Sequence, residues 1–164
     1  MEIRYILPSD EIYEVSNVYE QSWRYAYKGI IPQSYLDSIP VGQWVEHLRQ
    51  EGRHTLVAVE HNRIIGTSSF SKSRFSKFED YGEIISIYFL PEYTGKEYGR
   101  LLLNRAAEEL KNLGYDCIFL WVLEDNHKAR HFYEKNGFVL SGEEKLVNIG
   151  GKDLKEIMYV HQAR

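Results

Sequence analysis

Two apolar segments joined by one amphipathic helix constrain this chain more than any other feature. They are Ile84-Ile85-Ser86-Ile87-Tyr88-Phe89-Leu90 and Cys117-Ile118-Phe119-Leu120-Trp121-Val122-Leu123. Runs this apolar suit strands covered on both faces. Between them Leu101, Leu102, Ala106, Leu110 and Leu113 recur at helical spacing from about Glu97, and Gly114 closes the helix. A strand, a helix and a further strand of the same sheet form a parallel crossover. The fold therefore contains a parallel strand pair with a helix laid across it.

The flanking segments add antiparallel strands. Residues 3–7 read as a strand ended by Pro8, and Ser9 or Asp10 as the cap of a helix with Ile12, Val15, Tyr19, Trp23 and Ala26 inward. Gly29 stops that helix, Pro32 opens a helical stretch through Leu36, and Trp44, Val45 and Leu48 mark a third. Residues 55–59 and 64–70 form a hairpin around His61-Asn62-Arg63, and 71–81 read as a loop or ragged strand end. Asn126 caps a helix that runs to Asn136 and stops at Gly137; residues 138–140 and 154–160 supply the last strands. No repeat or linker interrupts the chain. The expectation is one domain over residues 1–164, a three-layer α/β fold with a mixed sheet and helices on both faces.

A formal net charge of −4 over 164 residues gives no basic stripe for nucleic acid. The lone Cys117 can form no intrachain disulfide and reads as a buried thiol in an apolar run. No apolar run reaches the roughly 20 residues of a membrane span. These features read as a cytoplasmic protein.

The segment richest in chemistry is Pro91-Glu92-Tyr93-Thr94-Gly95-Lys96-Glu97-Tyr98-Gly99-Arg100, between strand and helix. The first turn of a helix aims free N–H groups outward, and its dipole favours an anion. Gly95 and Gly99 let backbone approach a phosphate, and Lys96 and Arg100 add positive charge. An ordinary strand-to-helix turn with two conformational glycines is the other reading of the same residues. His127 and His131 share a helix face, but no third ligand accompanies them, so a surface pair is preferred to a metal site. Trp23, Tyr25, Tyr27, Tyr35 and Trp44 read mainly as core aromatics.

The stretch from Glu83 to Tyr93 followed by the glycine turn resembles the acetyl-CoA motif of GNAT acetyltransferases. Asn126-His127-Lys128-Ala129-Arg130-His131-Phe132-Tyr133-Glu134-Lys135-Asn136-Gly137-Phe138 resembles that family's second signature, N-x-x-A-x-x-F-Y-x-K-x-G-F. The segment from Trp23 to Pro32 is also similar to one found in bacterial members. The resemblance implies a sheet with one splayed parallel pair and acetyl-CoA as acyl donor to a primary amine. It implies that backbone groups around Ile87, Tyr88 and Phe89 bind the pantetheine arm. Gly95, Lys96, Glu97, Tyr98, Gly99 and Arg100 would hold the pyrophosphate, and Asn126 would touch the cofactor. Tyr133 would protonate the departing thiolate, and Glu83 would serve as base, directly or through water. Thr94 and Glu97 depart from the family's usual R-G-x-G-x-G turn, removing a cation and adding an anion. A non-catalytic acyl-CoA sensor on the same fold is the alternative. A homodimer stays open, as does the identity of the amine.

Overall fold

The computed structural model describes residues 1–162. In chain order the elements are β1 (Glu2–Tyr5), α1 (Ile12–Ala26), α2 (Gln33–Ser38), α3 (Val45–Leu48), β2 (His54–Glu60) and β3 (Arg63–Lys72). Then come β4 (Gly82–Phe89), α4 (Tyr98–Asn112), β5 (Cys117–Leu123), α5 (His127–Lys135), β6 (Val139–Ile149) and β7 (Lys152–Gln162). The strands form one sheet in the order β1-β2-β3-β4-β5-β7-β6. Only β4 and β5 run parallel, with α4 as their crossover; every other neighbouring pair is antiparallel.

Side chains of β4 alternate between the two helical layers. Tyr88 meets Tyr19 of α1 with ring centroids 5.0 Å apart, and its neighbour Phe89 meets Tyr98 of α4 at 6.1 Å. Successive strand residues point to opposite faces, so α1 and α4 cover opposite sides of the sheet. Leu102, Leu103, Ala106 and Leu110 of α4 and Val15, Val18 and Tyr19 of α1 are fully or nearly fully buried.

The parallel pair is joined only at Gly82–Ile118 and Glu83–Phe119. Beyond Glu83 the two strands part, and a wedge opens towards Phe89 and Leu123. A bulge accompanies the parting: Ser69 pairs with Ser86 and Phe70 with Ile84, which leaves Ile85 unmatched. An extra residue of this kind bends and twists its strand away from its neighbour.

Several local expectations change. β1 ends at Tyr5, because Asp10 draws the chain off the sheet: its carboxylate accepts from Arg4 Nη1 and Nη2 at 2.7 and 2.9 Å and from the Leu7 N–H at 2.7 Å. The cap of α1 is therefore Glu11, which accepts from the Tyr13 N–H. The buried face of α1 is rotated from the expected one. Ala26 is exposed, while Ser16, Glu20 and Ser22 are buried. Glu20 accepts from the Ser16 hydroxyl and the Gly42 N–H, and Ser16 accepts from the Trp44 N–H. A satisfied polar network thus takes part of the face that an apolar pattern would have claimed.

β6 is eleven residues long where three were expected. From Glu143 to Ile149 it alternates half-buried and exposed residues, and its apolar members are scattered rather than contiguous. Cys117 opens β5 and is only partly buried. It borders a hollow of about 950 Å³ with Phe78, Tyr81 and Met158 at the closed end of the wedge. Tyr25 is 54% exposed and outside the core, with Lys128 Nζ 5.7 Å from its ring.

Candidate active site

The β4 wall of the wedge carries unmet hydrogen-bonding groups. The Leu90 N–H donates to the Ile65 carbonyl in β3, so alternation turns the main chain of Tyr88 to β3 and that of Ile87 and Phe89 to the wedge. There they have no β5 partner. The Ser22 hydroxyl of α1 donates to the Phe89 carbonyl, which leaves the N–H groups of both residues and the Ile87 carbonyl facing the gap. Tyr88 contributes differently from its neighbours. Its main chain is in the sheet and its hydroxyl accepts from Trp23 Nε1 at 3.2 Å and lies 3.3 Å from the Tyr27 hydroxyl.

At the mouth of the wedge a 3-10 turn over Pro91–Tyr93 leads into α4. Gly95 takes φ +79°, a left-handed conformation that strains any residue with a β-carbon. The first helical bond of α4 runs from the Leu101 N–H to the Glu97 carbonyl, and no side chain caps the helix. The N–H groups of Tyr98, Gly99 and Arg100 are thus without helical acceptors. Glu97, the residue that departs from the family turn, binds Arg100 through Nε at 2.8 Å and Nη2 at 2.6 Å. Both side chains are largely exposed, and such pairs contribute under about 1 kcal/mol, so a phosphate can take Arg100 from Glu97. Lys96 Nζ rests over the rings of Tyr93 and Tyr98 at 5.3 and 5.6 Å. Tyr98 itself is anchored by its hydroxyl, which donates to Glu60 at 2.6 Å. Its own contribution to the turn is therefore its N–H. Gly99 has a second constraint that spacing alone did not show: a β-carbon there would stand 3.3 Å from the Phe132 ring of α5.

Asn126 caps α5, its Oδ1 accepting from the Ala129 N–H at 3.2 Å. Its amide nitrogen donates to nothing among the described residues. About two helical turns further on, Tyr133 is buried against Phe132, Phe138 and Tyr159. Burial pushes its phenol well above the ordinary tyrosine value, and the nearby Tyr88 phenol adds to the shift. Tyr88 is raised by burial and by Tyr27, and burial takes Tyr27 up to about 12. All three phenols are protonated at neutral pH.

Glu83 lies at the last joined position of the parallel pair and is 1% exposed. Oε1 accepts from the Arg74 N–H and Nε, both at 3.1 Å, and Oε2 from Arg74 Nη2 at 2.6 Å. Arg74, which residue spacing did not single out, carries a half-exposed side chain.

A CoA suits this arrangement. The extended gap-facing backbone can pair with an amide-bearing arm as with a strand, and the uncapped helix start with its φ-positive glycine and two cations suits a pyrophosphate. Among the described residues no group of three or more His, Cys, Asp or Glu could hold a metal ion. No helix among them is long and apolar enough to cross a membrane.

Comparison with known proteins agrees with this geometry. Residues 12–138 match the acetyltransferase (GNAT) family. The chain is 30% identical over 151 residues to the uncharacterised N-acetyltransferase YuaI of Bacillus subtilis, covering 90% of this chain and 86% of that one. It is 28% identical to a spermidine N(1)-acetyltransferase of Thermoplasma acidophilum, covering 80% and 84%. The crystal structure of the PaiA N-acetyltransferase of T. acidophilum in complex with coenzyme A superposes with a TM-score of 0.70 at 23% identity, over 99% of each chain. With both signature segments and the splayed strand pair in place, the chain belongs to the GNAT family of acetyltransferases, enzymes that use acetyl-CoA to acetylate amines.

Proposed function

We propose that residues 1–164 act as one domain that passes an acetyl group from acetyl-CoA directly to a primary amine, both substrates being bound at once. The observation that supports this most is the wedge itself: open backbone groups at Ile87 and Phe89 on one wall, with the buried Tyr133 of α5 within electrostatic reach of Tyr88. When bound, acetyl-CoA supplies an activated acyl thioester. The gap-facing N–H groups of Ile87 and Phe89 polarise the acyl carbonyl and stabilise negative charge that develops on its oxygen. Tyr133 donates its hydroxyl proton to the departing sulfur. Burial raises the Cys117 thiol above its ordinary pKa at the closed end of the wedge, so it is a poor covalent carrier. Amine-dependent release of CoA thiol across an acceptor panel tests this reading; binding of acetyl-CoA with no release for any amine contradicts it.

An acceptor ammonium must lose a proton before attack, since free amines near pKa 10 are almost wholly charged at neutral pH. Glu83 takes that proton through ordered water once Arg74 turns aside. Glu83→Gln should therefore lower kcat by about tenfold and regain much of it at alkaline pH, where neutral amine is abundant. An unchanged kcat with a lower melting temperature would leave Glu83 as the partner of Arg74 alone.

The reaction is placed in the cytoplasm, where a lone thiol stays reduced. A homodimer is part of the proposal: β6 is a long edge strand with Val139, Leu140 and Leu146 exposed, the kind of edge that a second copy can cover.

A further inference from the structure

A second constellation lies beside the wedge, on residues of β5, β6, β7 and the loop after β3 to which the transfer chemistry gives no role. Lys145 of β6 and Glu156 of β7 are cross-strand partners, and Lys145 Nζ stands 3.2 Å from Glu156 Oε1. The same ammonium is 5.0 Å from the ring centroid of Trp121 in β5 and 5.1 Å from that of Phe75. One carboxylate and two aromatic rings thus surround a primary ammonium. Trp121, Phe75 and Lys145 also border a hollow of about 490 Å³ that opens to solvent.

The chemistry of the walls selects the ligand's charge. Aromatic faces attract cations and disfavour carboxylates. The neighbouring cation Arg74 is paired with Glu83 by two side-chain hydrogen bonds, and Glu156 also raises its pKa. The one ion pair of Glu156 among the described residues is to the end of a flexible lysine. Position also fits. Glu156 lies opposite Leu123, three residues before Asn126 at the open end of the wedge. After burial, the Tyr133 phenol and the Glu156 carboxylate both raise the Tyr27 phenol, so Tyr27 lies within electrostatic reach of the two.

We propose that Phe75, Trp121 and Glu156 form a subsite for a second, non-reacting ammonium of the acceptor, and that Lys145 occupies it until that ammonium arrives. The acceptor is then an alkyl diamine or polyamine: one ammonium displaces Lys145 while another amine reaches the wedge. The proposal deepens the transferase reading and rests on it only for the fate of the reacting amine. Lys145 is a built-in competitor, so its removal should strengthen acceptor binding. A merely structural ion pair gives no such gain.

Calorimetric titration of the full chain with 1,4-diaminobutane and with n-butylamine tests this directly. The diamine should bind about tenfold more tightly than the monoamine, the size expected for one partly desolvated ammonium between rings and a carboxylate. Lys145→Met keeps the stem and removes the charge; it should tighten the diamine about threefold or more and leave butylamine unchanged. Glu156→Gln should bring the diamine down to the butylamine level. Equal binding of the two amines by wild type and by Lys145→Met overturns the proposal, as does a Glu156→Gln protein that melts normally and keeps its diamine preference. If Glu156→Gln fails to fold, the Lys145→Met titration decides alone. Thiol release with the same two amines separates the readings. A diamine that binds preferentially but is never acetylated leaves the subsite standing and contradicts the transferase. Turnover of both amines with equal KM contradicts the subsite and leaves the transferase intact.

Discussion

Tyr133→Phe should slow acetyl transfer by about 10²-fold or more while acetyl-CoA binds nearly as well as to wild type. The substitution keeps the ring that packs at 5.3 Å from Phe132 and 5.9 Å from Phe138, so helix α5 and its cap at Asn126 should hold. Only the hydroxyl is lost. Because burial raises that phenol, its proton stays on oxygen across the neutral range. A phenol so weak as an acid helps most late in the reaction, as charge builds on the sulfur. Single-turnover quenching reports the chemical step without interference from product release. A wild-type rate in that experiment would remove Tyr133 from the chemistry and return it to the core.

Gly99→Val should abolish the stabilisation that acetyl-CoA gives the native protein. At a free concentration about 100 times Kd, wild type should gain about 2.7 kcal/mol, a rise of roughly 5–11 °C in melting temperature for a chain of this size. A branched side chain at Gly99 stands where backbone N–H groups must approach phosphate, and its β-carbon presses on Phe132. The variant should therefore also melt lower without ligand, by the roughly 1–3 kcal/mol typical of overpacking. Arg100→Ala separates the two effects. Arg100 is exposed and held by Glu97, so its removal should leave the unliganded melt unchanged and reduce the acetyl-CoA shift. A Gly99→Val protein that keeps the full wild-type shift would mean that the turn is not where the pyrophosphate binds.

How far the sequence could be read followed the range of the interactions. The strand at residues 117–123 was legible to the residue, because it is apolar throughout and lies between a glycine turn and a capping Asn126. The crossover helix was legible for the same local reasons, but not its whole inner face: Leu101 and Leu113 are exposed, and Leu103 is buried in their place. β6 was not: half-buried alternation such as Lys145, Leu146, Val147 carries no continuous apolar signal. Asp10 was misread as a cap because its partner, Arg4, lies in the preceding strand. The buried face of α1 was displaced by Ser16 and Glu20, whose partners Gly42 and Trp44 come from a distant loop.

The site divides in the same way. Gly95, Gly99, Asn126 and Tyr133 belong to contiguous motifs: the two glycines lie at the turn into α4, Asn126 caps α5, and Tyr133 is buried on that helix. Glu83 was legible as a residue but not in its surroundings, since nothing in the segment announces that Arg74 closes on it across a loop. The cluster of Trp23, Tyr27 and Tyr88 hydroxyl and indole groups is likewise a product of tertiary packing. Lys145 and Glu156 meet because β6 and β7 form an antiparallel hairpin whose register places them side by side.

Direct transfer from acetyl-CoA to an amine is tested most squarely by following the acetyl group itself. The full chain is mixed with one equivalent of acetyl-labelled acetyl-CoA, first alone and then with 1,4-diaminobutane, and label is counted on protein and on amine. We expect no label on the protein and no thiol release before the amine is added, then equal amounts of free CoA thiol and N-acetylated amine. Label transferred to the protein before the amine arrives, or thiol released without acetylated amine, would contradict the account.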